Sequence, residues 1–271
     1  KTPDEVKKYQ KILSNKDAIL ADAKEQADAI INAAQVQTEE LINEHEIMQR
    51  AYAQANELIE QATAQAQAIL DDPRMILVSR THPITEDYPV ETKECGSATA
   101  INKTLQTEAA DAFLSMQAAA AKDGVDVRMQ SGYRSVSYQK KLYDNKTQYY
   151  RDKGLSEAAA REKAAVIVNP PGCSEHNCGL AADLNSPEHT DLTEDFENTE
   201  AFRWLSAHAV EYGFILRYPK NAEAVTEITY EPWHWRYVGP ENAALIQQSG
   251  LCFEDAVAVL QKLAAGEKIT G

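Results

Sequence analysis

From Lys1 to Asp71 the chain has no glycine and a single proline, Pro3, at its very start. Glycine and proline are the residues that cost a helix interior most, about 1 and 3 kcal/mol relative to alanine. A stretch without them, rich in Ala, Gln, Glu and Ile, has helix-forming composition throughout. The apolar pairs Ile19-Leu20, Ile30-Ile31 and Leu41-Ile42 recur every 11 residues, with Tyr52-Ala53 next in register. That period gives about 3.67 residues per turn, which suits a nearly straight or slightly right-handed helical assembly. Ala23, Ala34, His45 and Asn56 sit four positions after the first member of each pair, so the stripe is small and partly polar, and His45 reads as a packing residue. Two arrangements fit: a stalk or oligomerising helix, or long amphipathic helices folded onto the rest of the chain. The first is favoured, with residues 1–71 as a helical stalk or oligomerisation region and a second domain over 72–271.

Composition limits what that second domain can be. A chain of 271 residues with 44% hydrophobic residues can build a core without a metal or disulfide staple. A formal net charge of −15 argues against nucleic acid or an anionic membrane surface as the main partner. No run of 18 apolar residues is present to span a bilayer. The opening KTPDEVKKYQ has no signal-peptide apolar stretch, and a start at Lys is expected of a processed or truncated product, which leaves a removed leader or anchor open. Four scattered cysteines, Cys95, Cys173, Cys178 and Cys252, make no disulfide scaffold.

The pattern changes at Asp71-Asp72-Pro73. MILVSR (75–80) reads as a strand, Thr104 to Lys122 as a helix ended by Asp123-Gly124, and VDVRMQS as a strand with Val125, Val127 and Met129 on one face. Polar helices are expected over 136–152 and 156–167, before the break at NPPG. GLAADL, GFILRY and HWRYV read as short strands, with a helix ending at Gly213 between the first two and two short helices after Pro240. Strands and helices mixed without a regular βα repeat indicate an α+β domain.

Two stretches concentrate polar chemistry in this domain. In PGCSEHNCGLAADLNS, His176 precedes Asp183 by seven residues; in EPWHWRYVG, Glu231 precedes His234 by three. Taken alone, the first pair reads as a loop histidine and a strand-end Asp, and the second as an aromatic strand of the core or edge. Together, His176, Asp183 and His234 are two imidazoles and a carboxylate, the set that leaves a tetrahedral zinc one open position for water. Such a site needs a base that is not a ligand, and Glu231 adjoins His234. On a strand, His234 and Arg236 would share one face with the aromatic residues on the other. Arg134, in SGYRS, offers a planar guanidinium able to fork onto a carboxylate.

SGYRSVSYQ, SEHNCGLAADL and EPWHWRYVG resemble the three signature blocks of the VanY-like D-alanyl-D-alanine carboxypeptidases, zinc peptidases of the bacterial cell wall. The blocks stand in the family's order, and the resemblance runs from about Met75 to Gly239. It implies zinc on His176, Asp183 and His234, with Glu231 as general base and proton carrier. It also implies Arg134 as receptor of the substrate's terminal carboxylate, with Gln139 and Ser174 nearby. The implied fold is α+β, a small antiparallel sheet with flanking helices, shared with hedgehog-type domains. The implied activity is removal of the last D-Ala from peptidoglycan stem peptides, in the cell envelope or outside the cell. Asn177-Cys178 stand where typical members carry Gln-Thr, and the region before Met75 lies outside the pattern.

The same ligand set serves L,D-carboxypeptidases, D-Ala-D-Ala dipeptidases and phage-type endopeptidases; a carboxylate clamp at Arg134 argues against the last. A zinc-stabilised binding module without turnover is the alternative of another class, and Glu231 weighs against it. Cys173 and Cys178 read as a disulfide or as packing residues rather than ligands. Glu175 reads as a substrate contact or a solvated loop carboxylate, His189 as solvated, His208 as packing or exposed, and His82 as structural. Phe202 and Trp204 read as the buried face of their helix.

Overall fold

The computed structural model describes residues 2–97 and 99–267, leaving aside the side chains of residues 12–14, 16, 17 and 19. Helix α1 runs from Pro3 to Leu70. Pro3 fills its first position, where a missing N–H costs nothing, and Glu5 Oε2 accepts from the backbone N–H of Thr2 at 3.1 Å, one arm of a capping box. By contacts the chain divides into two units, 1–61 and 62–271. In the first, every described side chain is exposed, including Ile30, Ile31, Leu41, Ile42 and Tyr52 of the 11-residue recurrence; Ile19 lies outside the described side chains. No single described helix is long and apolar enough to cross a membrane.

The second unit begins with the last turns of α1. Ala66 is buried there, and Ile69 and Leu70 pack against an apolar cluster of Met75, Ile215, Val238, Ile246, Phe253 and Val257. The next elements are β1 (Thr92–Glu94), β2 (Thr104–Gln106), α2 (Thr107–Lys122), β3 (Arg128–Ser131), α3 (Val136–Asp152) and α4 (Glu157–Ala165). After them come β4 (Ala181–Asn185), α5 (Glu200–His208), β5 (Phe214–Leu216), α6 (Glu223–Thr226), β6 (His234–Tyr237), α7 (Pro240–Ser249) and α8 (Phe253–Ala264). β1 and β2 form a small antiparallel ribbon; the other four strands form an antiparallel sheet in the order β3-β4-β6-β5. The α+β class with a small antiparallel sheet, flanking helices and a long N-terminal helix is therefore what the chain adopts.

The main core lies between this sheet and helices α2 and α5, with Phe113, Met116, Leu184, Leu205, Phe214, Trp235 and Tyr237 fully or nearly buried. Alternation on β6 works as its sequence requires: Trp235 and Tyr237 enter that core, and His234 and Arg236 take the opposite face.

Two local expectations fail. Residues 75–80 form no strand: a 3₁₀ turn covers Pro73–Met75, and the carbonyls of Arg74 and Ile76 accept from the Arg236 guanidinium, both at 2.8 Å, in place of a strand partner. The helix expected from Thr104 starts at Thr107, because Thr104–Gln106 pair with Thr92–Glu94. The Gln106 side chain then caps α2 by accepting from the N–H groups of Glu108 and Ala109.

Candidate metal centre

Strand register builds half of the centre. Asp183 of β4 lies directly opposite His234 of β6, so the two side chains share one face of the sheet. His176 comes from the 3₁₀ turn Glu175–Cys178, which Gly179 ends in the left-handed conformation (φ 76°) just before β4. A side chain at Gly179 would press on Val90 Cγ1 at 2.9 Å and the Gln106 backbone nitrogen at 3.1 Å, so this tight return to the sheet requires glycine.

The three groups converge. One candidate ligand atom from each of His176, Asp183 and His234 lies within 4.8 Å of the others, and all three residues are buried. Asp183 Oδ1 is 3.2 Å from His176 Nε2 and 3.1 Å from His234 Nδ1, and the two rings stand nearly perpendicular with centroids 5.0 Å apart. His176 Nδ1 is 2.8 Å from the Gly132 carbonyl oxygen. A carbonyl only accepts, so Nδ1 carries the proton and the Nε2 lone pair faces inward. Two imidazoles and a carboxylate with inward-facing ligand atoms are a donor set suited to zinc.

Electrostatics within this cluster are strongly perturbed. Burial lowers the His176 pKa to about 4, and the charge of Arg134 pushes the same way. Burial opposes ionisation of Asp183, yet the interactions with His176, His234 and Arg134 hold it well below the usual carboxylate range. Burial also disfavours a charged His234, but Asp183 and Glu175 outweigh it and raise its pKa to about 9. A metal on Nδ1 requires that nitrogen to be unprotonated.

Glu231 Oε2 is 3.7 Å from His234 Nδ1, and its side chain keeps 18% exposure. Burial raises its pKa to about 7 against the pull of His234, where a group that both takes and gives a proton works best. Arg134 donates through Nη2 to Asp183 Oδ2 at 3.1 Å and through Nη1 to Gln139 Oε1 at 3.2 Å, while its Nε is a buried donor without a partner.

Gln139 is 1% exposed, and its Nε2 donates to the Asn169 carbonyl at 2.7 Å. Its amide supports Arg134 from behind. Ser174 is 4% exposed and begins the His176 turn. The Asn177-Cys178 pair fits this turn: Asn177 Nδ2 donates to the Arg134 carbonyl at 2.7 Å, and the buried Cys178 thiol to that of Glu175 at 3.0 Å.

Other expectations are corrected. Glu175 is neither a substrate contact nor a solvated carboxylate: it is 0% exposed, with Oε1 2.7 Å from Arg217 Nε and 2.8 Å from Arg236 Nη1. Of the two readings of Cys173 and Cys178, packing residues holds and the disulfide does not: both are buried free thiols. His189 is half-buried rather than solvated, with its Nε2 2.8 Å from Thr193 Oγ1. His208 packs on Trp204 as expected, with ring centroids 4.9 Å apart. Arg217 and Arg236 do not stand out as site residues in the sequence motifs; a charged side chain within apolar strand sequences such as GFILRY and HWRYV is the signal that marks them.

Comparison with known proteins finds a family and several relatives over this part of the chain. The sequence model of the family described as VanY, D-alanyl-D-alanine carboxypeptidase, matches residues 102–240, which include His176, Asp183, His234, Glu231, Arg134, Gln139 and Ser174. A D-alanyl-D-alanine carboxypeptidase of Enterococcus faecalis (strain ATCC 700802 / V583) is 38% identical over 181 residues, 67% of this chain and 64% of that protein. The chain thus spans just under two thirds of that relative's length. A crystal structure of the vancomycin-resistance D,D-pentapeptidase VanY from a VanB-type cassette, a variant in complex with Zn(II), superposes with a TM-score of 0.58 at 35% identity, covering 68% of this chain and 98% of the other. The LD-carboxypeptidase LdcB superposes with a TM-score of 0.60 at 34% identity, covering 69% and 86%.

Proposed function

The chain belongs to the VanY family of D-alanyl-D-alanine carboxypeptidases, and from that premise we propose that it removes the C-terminal D-Ala from peptidoglycan stem peptides. The observation that carries the reading is the Asp183–His234 register pair closed by His176, with Glu231 at 3.7 Å from His234 Nδ1. His176 Nε2, Asp183 and His234 Nδ1 would hold zinc, which supplies Lewis acidity toward a carbonyl and makes water more acidic.

Glu231 then takes a proton from the attacking water and passes it to the departing amine, work suited to a carboxyl with a pKa of about 7. Arg134 receives the terminal carboxylate of the substrate; its unpartnered Nε leaves a donor available beside the Nη groups that Asp183 and Gln139 occupy. Gln139 keeps the guanidinium aimed, so the bond next to the terminal residue is the one that meets the centre. Incubation with a pentapeptide ending in D-Ala-D-Ala should release one D-Ala, seen by mass. Absence of that release from zinc-loaded protein would overturn the reading.

Likeness to LdcB supports a second reading, an L,D-carboxypeptidase. The same assay with a substrate carrying an L,D terminal bond separates the two. Peptidoglycan stem peptides lie in the cell envelope, so the protein would act there or outside the cell. Residues 1–61 would serve placement or self-association, since none of their described side chains is buried and helices in proteins take most of their stability from packing.

A further inference from the structure

Glu175 adjoins His176 in sequence but serves the other imidazole. Its Oε2 has no hydrogen-bond partner and lies 3.6 Å from His234 Nε2, a buried nitrogen that also lacks one. Its Oε1 is fixed by two guanidiniums, Arg217 Nε at 2.7 Å and Arg236 Nη1 at 2.8 Å. Both arginines are anchored further out. Arg217 forks onto the Glu254 carboxylate of α8 at 2.8 and 2.5 Å, and Arg236 Nη2 donates to the carbonyls of Arg74 and Ile76. Glu175, Arg217 and Arg236 are 0%, 1% and 0% exposed, a depth at which a charge persists only when paired. Two carboxylates and two guanidiniums cancel, which leaves the network neutral.

His234 needs such a fixture. Its ring presents two nitrogens, and a metal can take either. Asp183 faces Nδ1 at 3.1 Å and Glu175 faces Nε2 at 3.6 Å; with a metal between Asp183 and Nδ1, Glu175 is the carboxylate that keeps the proton on Nε2. His176 is fixed in the opposite sense, with Nδ1 2.8 Å from the Gly132 carbonyl and Nε2 inward.

We propose that Glu175 is a positioning residue for His234: it keeps the ring proton on Nε2, makes Nδ1 the metal-facing nitrogen, and is itself held by Arg217, Arg236 and Glu254. The inference rests on the zinc-site reading of His176, Asp183 and His234. It extends the site's support beyond residues 102–240, because Glu254, Arg74 and Ile76 lie outside the segment that the family model matches.

Long-range ¹H–¹⁵N correlation spectra of the full chain, with ¹⁵N-labelled histidine, test this with and without one equivalent of zinc. His176 should be metallated through Nε2, and His234 through Nδ1 with its proton retained on Nε2. Metallation of His234 through Nε2 overturns the positioning role while leaving the zinc site intact. If neither ring responds to zinc, the site reading fails and the inference with it. In Glu175→Ala, zinc affinity measured by chelator competition should fall about 10- to 100-fold. Glu175→Gln should recover part of the loss, since its amide oxygen can still accept from Nε2–H. A folded Glu175→Ala that holds zinc as tightly as the wild type overturns the proposal. If Glu175→Ala does not fold, the wild-type spectrum still decides.

Discussion

In residues 1–61 even Ile30, Ile31, Leu41 and Ile42 are exposed, whereas beyond residue 61 two arginines, Arg217 and Arg236, are almost wholly buried. The first unit is one continuous helix whose state follows from local composition. In the second, side chains take their places from partners far away in sequence: Glu175 meets Arg217 and Arg236 across 42 and 61 residues. The contrast teaches where substitutions will matter. Local propensity tolerates change at many positions; a site assembled by register and buried charge tolerates little.

The largest expected effect lies in the second unit. Glu231→Gln should keep one zinc per chain yet lose about 10²- to 10⁴-fold in turnover, the usual cost of removing a positioned base. Metal analysis paired with the peptide assay checks both halves, and near-normal turnover would transfer the role to another group. Arg134→Ala should shrink the preference for a free-acid peptide over its C-terminal amide by about 10- to 100-fold, since hydrogen bonds to charged groups contribute about 1.5–3 kcal/mol. Equal cleavage of acid and amide by the wild type would show that no carboxylate clamp operates.

Smaller effects should separate the two stretches of α1 itself. Ile69→Ala, in the apolar cluster of the second unit, should cost on the order of 2 kcal/mol in denaturant unfolding. Ile30→Ala, exposed, should stay within about 0.5 kcal/mol. Equal losses at both positions would erase the distinction. Deleting residues 1–61 should leave zinc content and turnover unchanged and, if the helix pairs with a second copy, lower the mass seen by light scattering. Deletion through residue 70 should in addition lower the unfolding midpoint, because Ile69 and Leu70 leave the cluster and the buried Ala66 is lost with them.

Much of this was legible from residues alone. The alternation in HWRYV correctly assigns Trp235 and Tyr237 to the core and His234 to the opposite face, because a strand's period is set by its backbone. His176, Asp183 and His234 were recognisable as a set by their chemistry. Contacts that are not local left no comparable trace. Apolar Met75–Val78 resembles a strand, but its Ile76 carbonyl, with that of Arg74 just before it, is claimed by Arg236, some 160 residues away. Thr104–Gln106 looks helical until the chain at Thr92–Glu94 pairs with it. Glu175 reads as a substrate contact or a loop carboxylate in its polar surroundings, because the two arginines that employ it, Arg217 and Arg236, arrive only on folding.

The position of Asp183 and His234 on the two inner strands of the sheet has a consequence for how the centre opens. Ladder hydrogen bonds of inner strands break only with the deepest unfolding events, whereas turns and strand ends open in shallow local fluctuations. His176, Arg134 and Glu231 all sit on such turns or flanks. Native-state amide exchange should therefore be slow in the ladder beside the pair, at Ala182 and Trp235, and fast at the rim, to which the His234 amide belongs because it donates to the Glu231 carbonyl at 3.1 Å. A local opening would release the His176 turn or the Arg134 side while Asp183 and His234 stay in register, so that entry and exit of the metal can proceed through the rim with the sheet intact.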